Sequence, residues 1–398
     1  MTLHPHDPRL LTDQDVDYGA FRCCGDEDLV FLRCKHCGHV WVECYECSTW
    51  YVDLNDLSKT ASSFLSSTDE RLACPACRRR FVDFEYLDPA KVDHCLATEQ
   101  QVVDAGHERF LAPHLRQERR RRAAARALEG LSIGDAFGEA CFVHDVDRGT
   151  LPPLPWTWTD DTAMALSVFD ELVAHDTIDP DRLARRFARR YAEDPTRGYG
   201  GTAHGILRAI GEGVAWQDAA SRVFHGTGSM GNGAAMRVAP IGAYASDDLV
   251  RVVEMADASA RPTHAHSDAR AGAIAVAVAT AHLFAGGEVD ALFDVVLAHT
   301  PEGETRTGIL RARSLLHLED PRSAASILGS GHRLVSSDTV PFCLWSVAKG
   351  ADDYASAIWR TVRGGGDRDT TCAIVGGIVA GCAEIPKSWR EAREPLAT

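Results

Sequence analysis

Three Cys-x-x-Cys pairs, Cys34/Cys37, Cys44/Cys47 and Cys74/Cys77, fall within 44 residues of one another, and eight of the 13 cysteines lie between Cys23 and Cys77. Two residues between thiols let both sulfurs turn toward one ion at a tight knuckle. A tetrahedral zinc site closes when two such knuckles meet. Cys34, Cys37, Cys74 and Cys77, in the strings CKHCG and CPAC, form the obvious pairing. Cys44 and Cys47 either replace one of those pairs or build a second site with Cys23 or Cys24. Unmetallated thiols packed as small hydrophobes are the competing reading, and three spaced pairs in so short a stretch weigh against it. A redox pair is disfavoured because no βαβ pattern surrounds any of them.

Runs 29–32, 39–42 and 80–86 are β-rich, as hairpin arms are. The segment resembles a zinc ribbon and is expected over residues 20–88. So small a segment buries little, and a structural Zn²⁺ would add on the order of 10 kcal/mol, comparable to the stability of a whole domain. The start MTLHPHDPRL has neither a basic nor an apolar leader region. The apolar stretches 271–285 and 372–382 are too short and too rich in Gly and Ala to span a bilayer. No membrane association and a reducing cytoplasm are therefore expected. With 57 acidic against 42 basic residues, the net charge of −15 argues against a general nucleic-acid binder with a basic surface. Residues 89–117 are expected as a helical linker, and Arg119–Arg122 as the solvated start of a helix.

From residue 118 to 398 the pattern changes to alanine-rich helical periodicity. The expected fold is all-α, a compact orthogonal multi-helix domain of ten or more helices. Its polar chemistry should sit at helix ends. Thr159-Asp160-Asp161-Thr162 precedes an apolar helix over 163–174, with Thr159 as N-cap. Asp367-Arg368-Asp369-Thr370-Thr371 precedes another over 372–382, with Asp369 as N-cap. Capping explains one such end. Two facing ends supply five or six hard oxygen donors, which suit Mg²⁺ or Mn²⁺ rather than zinc, and four aspartates can bridge two ions.

Gly226-Thr-Gly-Ser-Met-Gly-Asn-Gly233 contains a literal G-x-G-x-x-G. No buried strand precedes it, so a dinucleotide fold is rejected. Glycine still lets backbone N–H groups approach phosphate closely, and a phosphate cradle is expected here. Thr263-His-Ala-His-Ser-Asp268 offers two histidines before another helix, as packing groups or as ligand contacts.

The strings GLSIGDAFGEA, WTDDTAMAL, DPTRGYG, GSMGNGAAMRVAPIG, THAHSDA and GGDRDTTCAIVGGIVAG, in this order over residues 123–384, resemble the ADP-ribosylglycohydrolase (ADP-ribosyl-acceptor hydrolase) family. The resemblance implies an enzyme that cleaves the glycosidic bond between ADP-ribose and an acceptor. Two of the strings are most similar to the branch acting on O-linked, serine-type ADP-ribose. It also implies two Mg²⁺ (or Mn²⁺) ions held by Thr159, Asp160, Asp161, Asp367, Asp369 and Thr370. The diphosphate and riboses would lie along Gly228, Ser229, Met230, Gly231 and Asn232, with His264 and Gly198–Gly201 approaching from other sides. Asp161 or Glu139 would orient the attacking water or take its proton. Phe142 stands where serine-type relatives carry an acid, Met230 where some carry an aromatic, and Arg368 where Thr is common.

The expected partner is an ADP-ribosylated macromolecule or an ADP-ribose derivative, and arginine-linked, nucleic-acid-linked and O-acetyl adducts are the alternatives within the same chemistry. A different class would be a non-catalytic ADP-ribose reader with the ribbon as adaptor, against which the intact acidic sets speak. A third is a ribbon that binds nucleic acid through Arg78–Arg80.

Overall fold

The computed structural model describes residues 10–24, 28–62, 73–79, 94–144 and 149–396. Contacts divide the chain into two units, residues 1–119 and 120–398.

The first unit is built on an antiparallel sheet of Leu29–Cys34 (β1), Val40–Cys44 (β2), Thr49–Tyr51 (β3), Thr60–Ser62 (β4) and His94–Leu96 (β5), in the order β4-β3-β2-β1-β5. Alternation along β1 and β2 sends successive side chains to opposite faces. Leu29, Phe31, Val40, Val42 and Cys44 join Phe21, Val102, Phe110 and Leu111 in one core. Val30, Leu32, Cys34 and Trp41 join Trp50 and Cys74 in the other. Of residues 89–117, expected as a helical linker, the described ones supply β5, a short helix, Glu99–Asp104 (α1), opened by a Thr98–Gln101 capping box, and the start of a long helix at Pro113. The reason is burial: a small hairpin cannot cover its own apolar face, so the following stretch folds back over it. The expected arm over 80–86 lies outside the described residues.

The division between the units falls inside a long helix, Pro113–Ala140 (α2). The second unit is helical and holds no named strand among its described residues. Its helices are Asp160–His175 (α3), Pro180–Glu193 (α4), Gly201–Gly211 (α5), Trp216–Ser221 (α6), Ala239–Tyr244 (α7), Leu249–Ala260 (α8), Ser267–Phe284 (α9), Leu292–His299 (α10), Glu304–Ser314 (α11), Pro321–Leu328 (α12), Ser336–Ala348 (α13), Tyr354–Val362 (α14), Arg368–Val379 (α15) and Lys387–Ala392 (α16). Thirteen of the 18 residues of α9 are buried. A helix apolar on all sides is a core helix, and α7, α8, α10, α11, α13 and α15 pack around this one.

Helix α2 packs backbone to backbone on α15. Gly130, Gly134 and Gly138 fall four residues apart and share one face of α2. A Cβ on Gly134 would stand 2.1 Å from the Cys372 carbonyl oxygen, one on Gly130 2.4 Å from that of Gly376, and one on Gly138 2.3 Å from that of Arg368. The partners are themselves four apart, so the two backbones run in contact over two turns. Nothing larger than hydrogen fits between them. Gly134→Ala is expected to destabilise the protein by about 3 kcal/mol, the upper end of the usual overpacking cost, because the clash is with backbone and cannot be relieved by a rotamer change. Gly205→Ala in α5, where an added Cβ meets nothing within 4 Å, is expected to be neutral or slightly stabilising. Urea unfolding midpoints of the two variants check this.

Candidate active site

The two acidic helix starts come together, with α2 beneath them. Thr159 is the N-cap of α3, as expected, and Asp160 and Asp161 lie in its first turn. Helix α15 starts earlier than expected. Its N-cap is Asp367 rather than Asp369, which falls in the first turn. The Asp367 N–H donates to the Ser330 carbonyl at 3.0 Å, and the Thr371 N–H donates to the Asp367 carbonyl at 2.9 Å. The turn before it uses Gly365 and Gly366, both at φ +72°. At Gly366 a side chain would strike the Ser330 carbonyl.

Asp135 of α2 organises the arrangement, although sequence reasoning passed over it. It is fully buried. It accepts from the Thr159 N–H at 2.9 Å, the Thr162 N–H at 3.1 Å and the Thr162 hydroxyl at 2.5 Å. The Thr159 hydroxyl lies 2.9 Å from both Asp135 Oδ1 and Asp161 Oδ2. Asp135 therefore clamps the first turn of α3 from below. The available signal was a lone acid between glycine and alanine in an otherwise buried helical stripe.

Five aspartates gather here, and burial with mutual repulsion raises the pKa of Asp135, Asp160, Asp161 and Asp367. Burial first, then Asp369, raises Asp135 to about 7. Burial and Asp369 also raise Asp367 to about 7, opposed by Asn232 and Thr370. Asp160 and Asp161 are raised well above the usual carboxylate range, by burial and then by the neighbouring aspartates. Asp161 Oδ1 and Asp369 Oδ1 are buried with no hydrogen-bond partner. Orphaned carboxylate oxygens in a crowd of like charge are what a hard divalent cation neutralises. The donor set of hydroxyl and carboxylate oxygens fits Mg²⁺ or Mn²⁺.

The acids open onto a cavity of about 420 Å³ lined by Asp160, Asp367, Asp369 and Thr370 and by Ser229–Gly233 and His264. Gly198, Gly200 and Gly201 also line it, as do Phe224, Arg333 and Leu334. Asn232 connects the loop to the acids, donating from Nδ2 to Asp367 Oδ2 at 2.7 Å and to Thr339 Oγ1 at 3.0 Å. Gly228, at φ +78°, backs onto Ala265 and His266. The phosphate-cradle expectation is narrowed: the N–H groups of Gly228, Gly231 and Asn232 already donate to Val223 O, Ser229 Oγ and Leu334 O. His264 packs beneath the loop, where Cβ atoms at Gly231 or Gly233 would stand 3.0 Å from its ring. Burial lowers its pKa to about 3, with Arg237 adding to the effect, so the ring is neutral. Fully buried Arg237 spans the Gly233 and Ser259 carbonyls and the Thr263 hydroxyl, which itself lies 2.7 Å from His264 Nδ1.

The other named residues are placed differently. Asp161 is 1% exposed; it and Thr159 lie behind the cavity wall, among the residues that do not line it. Glu139 is half-buried beside Asp369, and burial followed by that charge raises its pKa. It too is absent from the cavity wall. Met230 is 43% exposed at the rim, with Phe224 and Leu334. Phe224 and Leu334 carried no sequence signal, since their position depends on left-handed backbone at φ +51° and +55°. No helix among the described residues is long and apolar enough to cross a membrane.

The ADP-ribosylglycohydrolase family model matches residues 116–397, and the chain belongs to that family of glycoside-cleaving enzymes. It is 32% identical to human ADP-ribosylhydrolase ARH3, over 67% of this chain and 88% of that one. An uncharacterized protein of Archaeoglobus fulgidus is 31% identical, over 68% and 92%. The ADP-ribosylarginine hydrolase Tri1 of Serratia proteamaculans is 26% identical, over 66% and 73%. A solved ADP-ribosylglycohydrolase-related protein complex shares the fold, with a TM-score of 0.52 at 24% identity over 70% of this chain and 94% of that one. The cysteine-rich segment precedes the matched residues.

Two outcomes follow from the carboxylate cluster. Asp135→Ala leaves four donors on Thr159 and Thr162 without their acceptor. It is expected to weaken Mg²⁺ binding by about 10- to 100-fold, as loss of a group that orients ligands does, measurable by calorimetric titration. Acids whose pKa is raised in the folded state bind more protons there, so in chelator stability should fall as pH rises from about 4 through about 7. His264 gives the opposite slope between about 3 and 6.5 and is silent above it. Melting temperatures at pH 6.5 to 7.5 lie above the His264 range: a fall in EDTA is expected, and the part of it that Mg²⁺ abolishes reports the carboxylates.

Proposed function

We propose that the enzyme reverses ADP-ribosylation, hydrolysing the bond between C1″ of ADP-ribose and an acceptor oxygen, with serine-type linkages preferred. The observation that carries this reading is the meeting of two acidic helix starts at one cavity that the Ser229–Gly233 loop also lines. Lower identity to the ADP-ribosylarginine hydrolase Tri1 than to the ADP-ribosylhydrolase ARH3 weighs against an arginine linkage, and the DPTRGYG and GSMGNGAAMRVAPIG strings favour the O-linked one.

Thr159, Asp160, Asp161, Asp367, Asp369 and Thr370 would hold two Mg²⁺ or Mn²⁺ ions. When bound, such ions polarise the ribose hydroxyls and lower the pKa of a water. The 228–232 loop holds the diphosphate and ribose, with Ser229 presenting its hydroxyl. Neutral His264 supports that loop without adding charge beside the acids. Asn232 fixes the Asp367 carboxylate from the substrate side. Of the two carboxylates assigned to proton handling, half-buried Glu139, the less enclosed, is assigned acceptance of the water's proton, and sealed Asp161 is assigned metal holding. Water adds its hydroxyl to C1″, and the acceptor oxygen leaves with a proton. Residues 120–398 carry this chemistry. Cys34, Cys37, Cys74 and Cys77 hold a structural zinc in the preceding unit.

Asp160→Ala and Asp369→Ala are expected to lower turnover of a serine-ADP-ribosylated peptide by about 10²- to 10³-fold and to weaken Mg²⁺ binding, the range for loss of a group that stabilises developing charge. Glu139→Gln is expected to lower kcat with metal affinity retained. Full activity of Asp369→Ala in EDTA would refute the scheme. Faster cleavage of an arginine-linked peptide than of a serine-linked one would overturn the linkage.

A further inference from the structure

The first unit contains two separate groups of four cysteines. Cys34, Cys37, Cys74 and Cys77 form one, and Cys23, Cys24, Cys44 and Cys47 form the other; within each group the sulfurs all lie within 4.8 Å of one another. We propose that the second group is a metal site in its own right, a tetrathiolate for Zn²⁺, and that the two ions brace opposite corners and opposite faces of one sheet. The proposal stands on its own group of sulfurs and does not depend on the reading of the first.

Distances support it. Four sulfurs bonded to zinc at about 2.3 Å stand about 3.8 Å apart. Cys23 and Cys24 are 3.9 Å apart, and Cys24 and Cys44 are 3.8 Å apart. The first group shows 4.0 and 3.5 Å for Cys34–Cys77 and Cys37–Cys74. The Cys23–Cys47 separation of 2.9 Å is shorter than a tetrahedral edge. It is also well beyond the roughly 2.05 Å of a disulfide bond.

The backbone supports it independently. In all three Cys-x-x-Cys segments the residue after the second cysteine is left-handed: Gly38 at φ +79°, Ser48 at +52° and Arg78 at +58°. A non-glycine residue adopts this conformation at a cost and needs something to hold it. Cys44–Cys47 thus has the same knuckle turn as the two segments of the first group. Its sulfurs also have an outer partner, since the Thr49 hydroxyl lies 3.1 Å from Cys47 Sγ. Groups of that kind orient metal ligands.

Topology says what the second ion would do. Cys34 ends β1 on the face of Val30 and Leu32, and Cys44 ends β2 on the face of Phe31 and Val42. Cys44 is paired with Leu29, the first residue of β1. The knuckles therefore sit at opposite ends of one hairpin. The first group ties the β1–β2 turn to the 74–77 segment. The second ties the far end to Cys23 and Cys24, in a segment whose Arg22 carbonyl accepts from the Tyr51 hydroxyl at 2.6 Å.

The test uses the full chain. Zinc released by a mercurial thiol reagent, read with a chromogenic chelator, reports only thiolate-bound metal. Two zinc ions per chain are expected. One is expected to remain in Cys23→Ser/Cys24→Ser, and one in Cys74→Ser/Cys77→Ser. If a variant does not fold, alkylation of the native wild-type chain with peptide mapping decides. Cys23, Cys24, Cys44 and Cys47 should resist modification until metal is removed. One zinc per chain, mapped to Cys34, Cys37, Cys74 and Cys77, overturns this proposal alone, as does a Cys23–Cys47 disulfide in the map. No thiolate-bound zinc at all overturns the first site as well.

Discussion

The catalytic unit depends on backbone contact between α2 and α15. Helices usually stand 8–10 Å apart with side chains between them. Here Gly130, Gly134 and Gly138 remove that layer, and the carbonyls of Arg368, Cys372 and Gly376 occupy the space. The consequence is positional. Asp135 lies next to the middle glycine, and Asp369 next to the carbonyl that Gly138 meets. A side chain at any of the three would push the Asp135 clamp away from the start of α15.

That contact also sets the electrostatics. Five aspartates in a water-poor setting repel one another, and the raised carboxylate pKa values are the sign of it. A protein needing only stability would place apolar groups or a paired arginine there. Arg237, the buried cation nearby, pairs with carbonyls and hydroxyls instead of these acids. The cluster leaves a demand for positive charge that the proposed ions would meet, and with them bound stability and metal affinity would become one linked quantity.

The first unit solves a different problem with the same logic. Its sheet is small and must be covered on both faces, so the 94–111 stretch folds over one of them. Thiolate groups then stand at diagonal corners of the hairpin, where hydrophobic burial ends.

Sequence alone was enough for the features set by local chemistry. Thr159 before an apolar run makes an N-cap whatever surrounds it, and Cys-x-x-Cys spacing makes a knuckle. The order of motifs identified the family, and alanine-rich periodicity its helical fold. What failed needed partners distant in the chain. Asp135 reads as a stray acid until Thr159 and Thr162 fold onto it. Asp367 caps α15, and not Asp369, because Ser330 holds the preceding turn. Residues 94–96 became a strand because β1 had an open edge. Phe224 and Leu334 reach the cavity rim only through left-handed backbone. Cys23 and Cys24 became members of one group with Cys44 and Cys47 only when the sheet closed. Local sequence determines which conformations and ligand types a segment can offer. Only the tertiary structure decides which of them meet, because close approach and burial depend on residues far apart in the chain.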